Sequence, residues 1–423
     1  MPNLIEELEQ RGFIANLSDP AIGELCEKEK VVVYCGFDPT ADSLHVGNFL
    51  PIMLLSHFQR AGHTPIALVG GATGLIGDPS GKKDERTLLS REDVRKNAEG
   101  IKNVLSRFLS FEGNSSASIV NNLDWIGEFS FVDFIRDVGK HVRITEMLAR
   151  DSVKSRLDTG GGLSFTEFSY QILQAYDFYH LFRERGCKLQ AGGADQWGNI
   201  TAGTDLIRRL LGERAYGMVA PLLTTATGQK FGKTEEGAIW LTPDRTSPYQ
   251  FYQYWIRTDD QDVLRFLKLF TFLSLDEIDE VEKEFKENPD RREAQKRLAW
   301  EVTCLVHGPE AARSAVNASQ ALFGGSLEGL DGKTLESVFA DVPSFSIAPG
   351  RIEEGLSIVD ALTESGLASS KGEARRLIKG GGVYLNNNRI DDQNLALGKD
   401  HLLAGGLLVL RSGKKKYCLG RVC

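Results

Sequence analysis

Cysteine is sparse in this chain: six residues in 423, at Cys26, Cys35, Cys187, Cys304, Cys418 and Cys423, with no CxxC pair among them. Such scatter excludes a disulfide framework and a cysteine zinc site, and it fits a reducing compartment. The seven histidines do not cluster at ligand spacing, so no metal site is expected. No apolar run is long enough to cross a bilayer. The stretch from Met1 to Leu8 is amphipathic and rich in Glu rather than a signal or transit peptide, so a cytoplasmic location is expected. Positive charge is also in deficit. The formal net charge is −8, which speaks against general nucleic-acid binding. The deficit is uneven, however. Residues 351–423 hold twelve Lys and Arg against eight Asp and Glu, so this tail is +4 and the remainder −12. A basic module on an acidic body points to local contact with a polyanion.

What is present suffices for about two or three domains, each with its own core. From about Val31 to Pro221, short apolar strands (31–34, 65–70, 119–121, 188–191 and 218–223) alternate with helical stretches such as 91–109 and 169–185. This order predicts an α/β domain with a mostly parallel, doubly wound, Rossmann-like sheet, whose ligand sits at the carboxyl ends of the strands. After Pro243 the strands stop. Ser247 with Pro248 starts a helix, Ser274 with Glu277 makes a capping box, and Asn288 with Pro289 starts a third helix. Residues 246–322 are thus expected as an α-helical domain. Gly324, Gly325, Gly329, Gly332, Pro343 and Pro349 punctuate a weakly patterned link over 323–350. A small α+β domain follows over 351–423, with helices at 358–365 and 371–379.

Chemistry is concentrated in five places. Between Tyr34 and Asn48 a strand hands over to a helix: Gly36 and Pro39 break the strand, and Leu50, Met53, Leu54 and Phe58 are apolar at helical spacing. Inside a helix Pro51 would clash with the carbonyl four residues back, so the regular helix should start near Gly47 or Asn48. His45 then stands just ahead of a helix N-terminus, where backbone N–H groups and the dipole favour an anion. Alone, His45 reads equally as a surface histidine and Asn48 as an N-cap. The second place is the run Gly70-Gly71-Ala72-Thr73-Gly74-Leu75-Ile76-Gly77-Asp78. It lacks the GxGxxG spacing of a dinucleotide turn and points to backbone approaching a ligand closely, with Asp78 beside it. Third, Tyr170, Gln174 and Asp177 share one helix face, which is either a solvated stripe or, given the apolar flanks Ile172, Leu173, Phe178 and Leu181, the wall of a pocket. Fourth, Gly192-Gly193-Ala194-Asp195-Gln196-Trp197-Gly198-Asn199 is a strand-end loop with glycine for approach and polar groups for contact. Fifth, Gln229-Lys230-Phe231-Gly232-Lys233-Thr234 is either a solvated turn or a loop whose lysines close over phosphates.

In order and spacing these segments resemble the bacterial-type tyrosyl-tRNA synthetases, a branch of the class I aminoacyl-tRNA synthetases, over essentially the whole chain. His45-Val46-Gly47-Asn48 is similar to the first class signature, His-x-Gly-His, with Asn48 in place of the second histidine. An amide donates a hydrogen bond at similar reach but carries no charge. Lys230-Phe231-Gly232-Lys233-Thr234 is similar to the second signature. In the tail, Ser370-Lys371-Gly372-Glu373-Ala374-Arg375-Arg376-Leu377-Ile378 with Gly382-Val383 resembles the S4-type RNA-binding module.

The resemblance implies ATP-dependent formation of tyrosyl-adenylate with release of pyrophosphate, then transfer of tyrosyl to the 3′-terminal adenosine of tRNA(Tyr). ATP is the co-substrate and Mg2+ is expected with it. Thr40, His45, Asn48, Lys230, Lys233 and Thr234 would act on the phosphates. Tyr34, Asp38, Asp78, Tyr170, Gln174, Asp177 and Gln196 would hold tyrosine, with Tyr34 and Asp177 on its phenolic hydroxyl. Gly36, Gly47, Gly193 and Asp195, together with His45 and Lys233, would bind ATP. Lys371, Arg375, Arg376, Lys379, Lys414, Lys415 and Lys416 would meet RNA, although an ordinary solvated helix and charged end remain the other reading of these residues. The implied boundaries are a catalytic domain over 1–222, a signature loop over 223–245, and then the three segments given above. A homodimer contact is expected within 120–160. The alternative function is an RNA-binding paralogue that keeps the synthetase fold without catalysis.

Overall fold

The computed structural model describes residues 3–78, 89–149, 153–154, 157, 164–226, 228, 231–234, 237–321, 324–340, 342–413 and 416–423. Six strands form its first sheet: β1 (Asn16–Leu17), β2 (Val32–Phe37), β3 (Thr64–Val69), β4 (Ser118–Asn121), β5 (Cys187–Gly193) and β6 (Tyr216–Ala220), in the order β1-β6-β5-β2-β3-β4. The strands from β2 to β6 run parallel, and β1 pairs antiparallel on the β6 edge. These five parallel strands are the ones that the alternating pattern predicts. β1, two residues long, is too short to leave a periodic signal. Val33, Ile66, Leu68, Leu189 and Ala191 are buried, as expected for parallel strands covered on both faces. Pro65 is tolerated because β4 begins one step later, at Ser118 opposite Ile66, so β4 asks nothing of its missing N–H.

Helices cover the sheet: α1 (Phe49–Arg60), α2 (Arg91–Leu105), α3 (Leu123–Ile126), α4 (Phe131–Asp137), α5 (Ile144–Leu148), α6 (Phe165–Arg185) and α7 (Trp197–Leu211). The long α6 opens on Ser164, whose side chain accepts from the Glu167 N–H, and closes on Gly186 at φ 63°. One core joins sheet and helices through Tyr34, Ile66, Leu68, Trp125, Ala175, Phe178, Leu181 and Leu206. The strand order reverses between β2 and β5, so their carboxyl ends frame the crevice where such sheets bind ligands.

Helices continue beyond residue 246 with α8 (Pro248–Ile256), α9 (Val263–Phe270), α10 (Leu275–Glu287), α11 (Glu293–His307) and α12 (Pro309–Ala321). Ser247 caps α8, and Ser274 with Glu277 forms the expected capping box on α10. These helices do not gather into one domain, however. Contacts divide the chain into one unit of residues 1–245 with 258–298 and another of 246–257 with 299–423.

The link expected over 323–350 is corrected by the structure. It contains α13 (Gly332–Val338), capped by Asp331, and the strand β9 (Ser344–Ile347). Leu327, Leu330, Leu335, Val338 and Phe339 are buried in a core with Ala318, Ala321, Leu407, Val409, Tyr417 and Leu419. Its glycines and prolines punctuate the turns between buried residues, so composition mimics a linker. β9 runs parallel to the last strand of a five-stranded sheet. The other strands of the second unit are β10 (Leu356–Ser357), β11 (Val383–Leu385), β12 (Asn388–Ile390), β13 (Ala396–Leu397), β14 (Leu407–Ser412) and β15 (Lys416–Val422); α14 (Ile358–Glu364) and α15 (Lys371–Lys379) complete it. Asn386 and Asn387, at φ 50° and 63°, turn β11 into β12.

Candidate functional site

Tyr34, Gly36 and Asp38 lie on or just after β2 and Gly193 and Asp195 at the end of β5, and hydrogen bonds bring Tyr170 to Asp38 and Gln196 to Asp78. β2 carries Tyr34 and Gly36 and delivers Asp38 to its end. Tyr34 is fully buried, and its hydroxyl has no hydrogen-bond partner among the described residues. Burial pushes its pKa well above the ordinary phenol value, with the charge of Asp177 adding to the shift. Asp177 is buried on α6, where Asn122 Nδ2 donates to its Oδ2 at 2.9 Å and Trp125 Nε1 donates to its Oδ1 at 2.8 Å. Burial raises its carboxyl to about 7, against the downward pull of these two donors and with help from the Asp38 charge.

Asp38 is held from two sides. The Tyr170 hydroxyl donates to Oδ2 at 3.0 Å and the Thr73 hydroxyl donates to Oδ1 at 2.9 Å. Asp78 lies beside Gln196, whose Nε2 donates to its Oδ2 at 2.7 Å, while Asn199 Nδ2 donates to Gln196 Oε1 at 3.1 Å. Gln174 is half-buried on α6 between Tyr170 and Asp177. The charges of Asp38, Asp78 and Asp177 all act on the Tyr170 hydroxyl, so three carboxyl groups gather near one point, a setting suited to an ammonium group. Thr40 is exposed in the turn after β2, with its N–H donating to the Asp38 carbonyl at 2.9 Å. Gly193 and Asp195 lie at the end of β5, where a Cβ at position 193 would come within 2.6 Å of Asp195 Oδ1.

His45 sits at the N-cap of the one-turn helix Val46–Asn48, which leads directly into α1. The Gly47 N–H donates to His45 Nδ1 at 3.0 Å, and the His45 N–H donates to Asn48 Oδ1 at 3.2 Å. A neutral His45 that accepts at Nδ1 carries its proton on Nε2 and presents a donor there. Asn48 thus holds the backbone of the signature through its side-chain oxygen.

The second signature packs on the first. The Val46 N–H donates to the Ile239 carbonyl at 2.8 Å, and the Ile239 N–H donates to the Gly232 carbonyl at 3.2 Å. Gly232 has φ +80°, and a Cβ there would come within 2.7 Å of the Gly47 nitrogen. Phe231 stacks on Phe270, which stacks in turn on Phe49 at the start of α1, with ring centroids 5.2 and 5.4 Å apart. Lys233 and Thr234 form the strand β7, counted along the chain, which pairs antiparallel with Gly237–Ala238, the strand β8. Lys230 lies outside the described residues.

One expectation is changed. The glycines of the 70–78 run make room chiefly for protein groups rather than for a ligand. A Cβ at Gly70 would come within 2.2 Å of Asp38 Oδ1, at Gly71 within 2.1 Å of Asn121 Oδ1, and at Gly74 within 2.9 Å of Pro39 Cδ. The sequence reading also missed Thr73, Asn122 and Trp125. Asn122 accepts from the Ala72 N–H at 2.7 Å and donates to the Thr73 hydroxyl at 3.1 Å as well as to Asp177. Its place directly after a predicted strand was the available signal.

In the second unit, Ala374 and Ile378 of α15 are buried while Lys371, Arg375, Arg376 and Lys379 are exposed. Lys371 Nζ pairs with Asp360 Oδ1 at 2.7 Å. Lys416 is exposed at the start of β15, and Lys414 and Lys415 lie outside the described residues.

Residues 27–324 match the family model for class I tRNA synthetases (W and Y), and residues 334–420 match that for the tyrosine--tRNA ligase SYY-like C-terminal domain. The chain is 54% identical to a tyrosine--tRNA ligase of Roseiflexus castenholzii over 100% of both chains. It is 53% identical to tyrosine--tRNA ligase 1 of Bacillus subtilis over 99% of both. Among solved structures it is similar to a C-terminally truncated mitochondrial tyrosyl-tRNA synthetase of Aspergillus nidulans, with TM-score 0.70 and 33% identity, covering 76% of this chain and 95% of that one.

Proposed function

The chain belongs to the tyrosine--tRNA ligase family of class I tRNA synthetases, and from that premise we propose how its residues divide the work. It joins L-tyrosine to tRNA(Tyr) through tyrosyl-adenylate, with ATP as co-substrate. The observation that carries the assignment of the amino-acid pocket is the buried Tyr34 hydroxyl, without a partner among the described residues, near the buried carboxyl of Asp177. A substrate phenol answers both, accepting from Tyr34 and donating to Asp177. Phenylalanine would leave the Tyr34 hydroxyl unanswered, at about 1–3 kcal/mol, and would bring Asp177 no donor beyond Asn122 and Trp125. Asp78, Tyr170 and Gln174 take the ammonium group, and Asp38 holds Tyr170 in place.

At the other end of the crevice the tyrosine carboxylate attacks the α-phosphate of ATP and pyrophosphate leaves. Nucleophile and leaving group are both good, so positioning and charge stabilisation carry the rate. His45 meets the phosphates through Nε2–H with Thr40 beside it, and Lys230, Lys233 and Thr234 approach from the second signature. Gly36, Gly47 and Gly193 line the nucleotide, Asp195 holds its ribose, and Gln196 orients the reacting carboxylate. Among the described residues no three His, Cys, Asp or Glu side chains converge as metal ligands. Magnesium enters this proposal with the ATP phosphates, and no protein ligand is assigned to it.

Lys371, Arg375, Arg376, Lys379 and Lys416, with Lys414 and Lys415, are assigned to tRNA contact. A homodimer contact is assigned to the helices α4 and α5 and the start of α6. There Phe131, Val132, Ile144 and Phe165 are 69%, 70%, 63% and 68% exposed, a concentration of bare apolar side chains that marks an interface. A single chain in sedimentation at working concentration would remove that assignment. A cytoplasmic setting completes the reading, in keeping with the scattered cysteines. Among the described residues no helix is long and apolar enough to cross a membrane.

Tyrosine-dependent ATP–pyrophosphate exchange, with phenylalanine and tryptophan as controls, tests the proposal. Exchange with tyrosine alone is expected. Well-folded protein without it would leave the non-catalytic paralogue as the better reading.

A further inference from the structure

Behind Asp177 lies a ring that neither the substrate contacts nor the signatures use. His180 stacks face-on against Trp125, with ring centroids 4.4 Å apart and planes 14° from parallel. Trp125 is the residue whose Nε1 donates to Asp177 Oδ1. Asp177 and His180 are three residues apart on α6, so they share one helix face, and α3 lays its indole along that face. α3 is a single turn of four residues, too short to fix a side chain by its own helical order. Its indole packs in the core with Tyr34, Ile66, Leu68 and Ala175, and two directional contacts set its plane there: the hydrogen bond at the nitrogen and the His180 plate on its face. Tyr176 frames the same corner, 6.3 Å from His180 and 5.2 Å, edge-on, from Phe129.

The surroundings of the His180 ring favour the neutral imidazole. Its pKa is lowered by burial first; Arg183 and Arg185 push it the same way, and Glu184 and Glu128 oppose them. We propose that His180 is a positioning residue for tyrosine selection: its imidazole holds the Trp125 indole in the plane where Nε1 meets Asp177, and so sets how that carboxylate receives a phenolic hydroxyl. The substrate class it acts on is the para-hydroxylated aromatic amino acid, and it acts without touching it. This rests on the reading of Asp177 as the partner of the phenol.

The test is ATP–pyrophosphate exchange by wild type, His180→Ala and His180→Phe, with tyrosine and ATP varied separately. His180→Ala is expected to raise the tyrosine KM about two- to tenfold, the range that one aromatic stack commands. The ATP KM and kcat should not change. Phenylalanine keeps the plate, so His180→Phe should return the tyrosine KM to within about twofold of wild type. An unchanged tyrosine KM in His180→Ala, a parallel rise in both KM values, or no recovery in His180→Phe would overturn the proposal. If His180→Ala does not fold, His180→Leu, which fills the space without a flat face, takes its place under the same criteria. Wild type without tyrosine-dependent exchange would overturn the reading of the whole site, whereas normal wild-type exchange beside an unaltered His180→Ala overturns this proposal alone.

Discussion

Asp177 is pulled in two directions by its surroundings, and the balance makes a prediction about pH. Burial and the Asp38 charge raise its carboxyl to about 7, while Asn122 and Trp125 donate to the ionised form and favour it. Both oxygens already accept, and a phenolic hydroxyl would donate a further bond. Tyrosine therefore selects the ionised carboxylate. Below about pH 7 a growing share of the enzyme carries a proton where the phenol must donate. The tyrosine KM should then rise as pH falls, by up to about tenfold per unit, with the ATP KM flat over the same window. Asp177→Asn should raise the tyrosine KM and flatten the profile, because an amide nitrogen would face one of the two donors. Exchange kinetics between about pH 5.5 and 8.5 check this, and a flat tyrosine profile in wild type would refute it. At this scale the sequence was uneven as a guide. Tyr34, Asp38 and Asp177 were named through family resemblance, whereas helical spacing alone left Tyr170, Gln174 and Asp177 as either a pocket wall or a solvated stripe. Thr73, Asn122 and Trp125 escaped because they come from the short segments after β3 and β4, where one-turn helices are too brief for any periodicity to report which side chain points inward.

Between elements, the decisive contact is the approach of the two signature segments. Gly232 sits in the left-handed region, where an added Cβ would meet the Gly47 nitrogen, and the Phe231–Phe270–Phe49 stack anchors the loop on the start of α1. In Gly232→Ala the backbone conformation costs roughly 1–2 kcal/mol, and the new Cβ drives the loop off the first signature. The kcat of exchange should fall at least about tenfold while the tyrosine KM changes little, since the phenol end lies on β2 and α6. Steady-state kinetics with thermal melting check the split; a loss confined to melting temperature would show that the contact is only structural. Strands and helices were legible where burial on both faces or an amphipathic stripe imposed a period, as in β2, β3 and α6. The close approach of residues 47 and 232 was not, because 184 residues separate two glycines whose only shared feature is the lack of a side chain.

Across the whole chain, acidic and basic charge are segregated. The tail carries +4 against −12 for the rest, and α15 exposes Lys371, Arg375, Arg376 and Lys379 over a buried Ala374 and Ile378. Cutting the tail away at residue 351 is a poor test of its role. Leu407, Val409, Tyr417 and Leu419 share a core with Ala318, Ala321 and Leu335, so truncation would strip an apolar surface bare. Composition hid this, because glycine-rich turns over 323–350 look like a tether while the residues between them are buried. Charge removal leaves that core untouched. In the double variant Arg375→Ala, Arg376→Ala, exchange should match wild type, since adenylate formation needs no tRNA. The tRNA KM in charging should rise. The slope of log affinity against log salt should become shallower by about one to two, the share of two lost phosphate contacts. Filter binding across a salt series, set beside the exchange rate, measures both. An unchanged slope would move the tRNA contact off this helix, and a fall in exchange would show that the two arginines support the fold rather than the RNA.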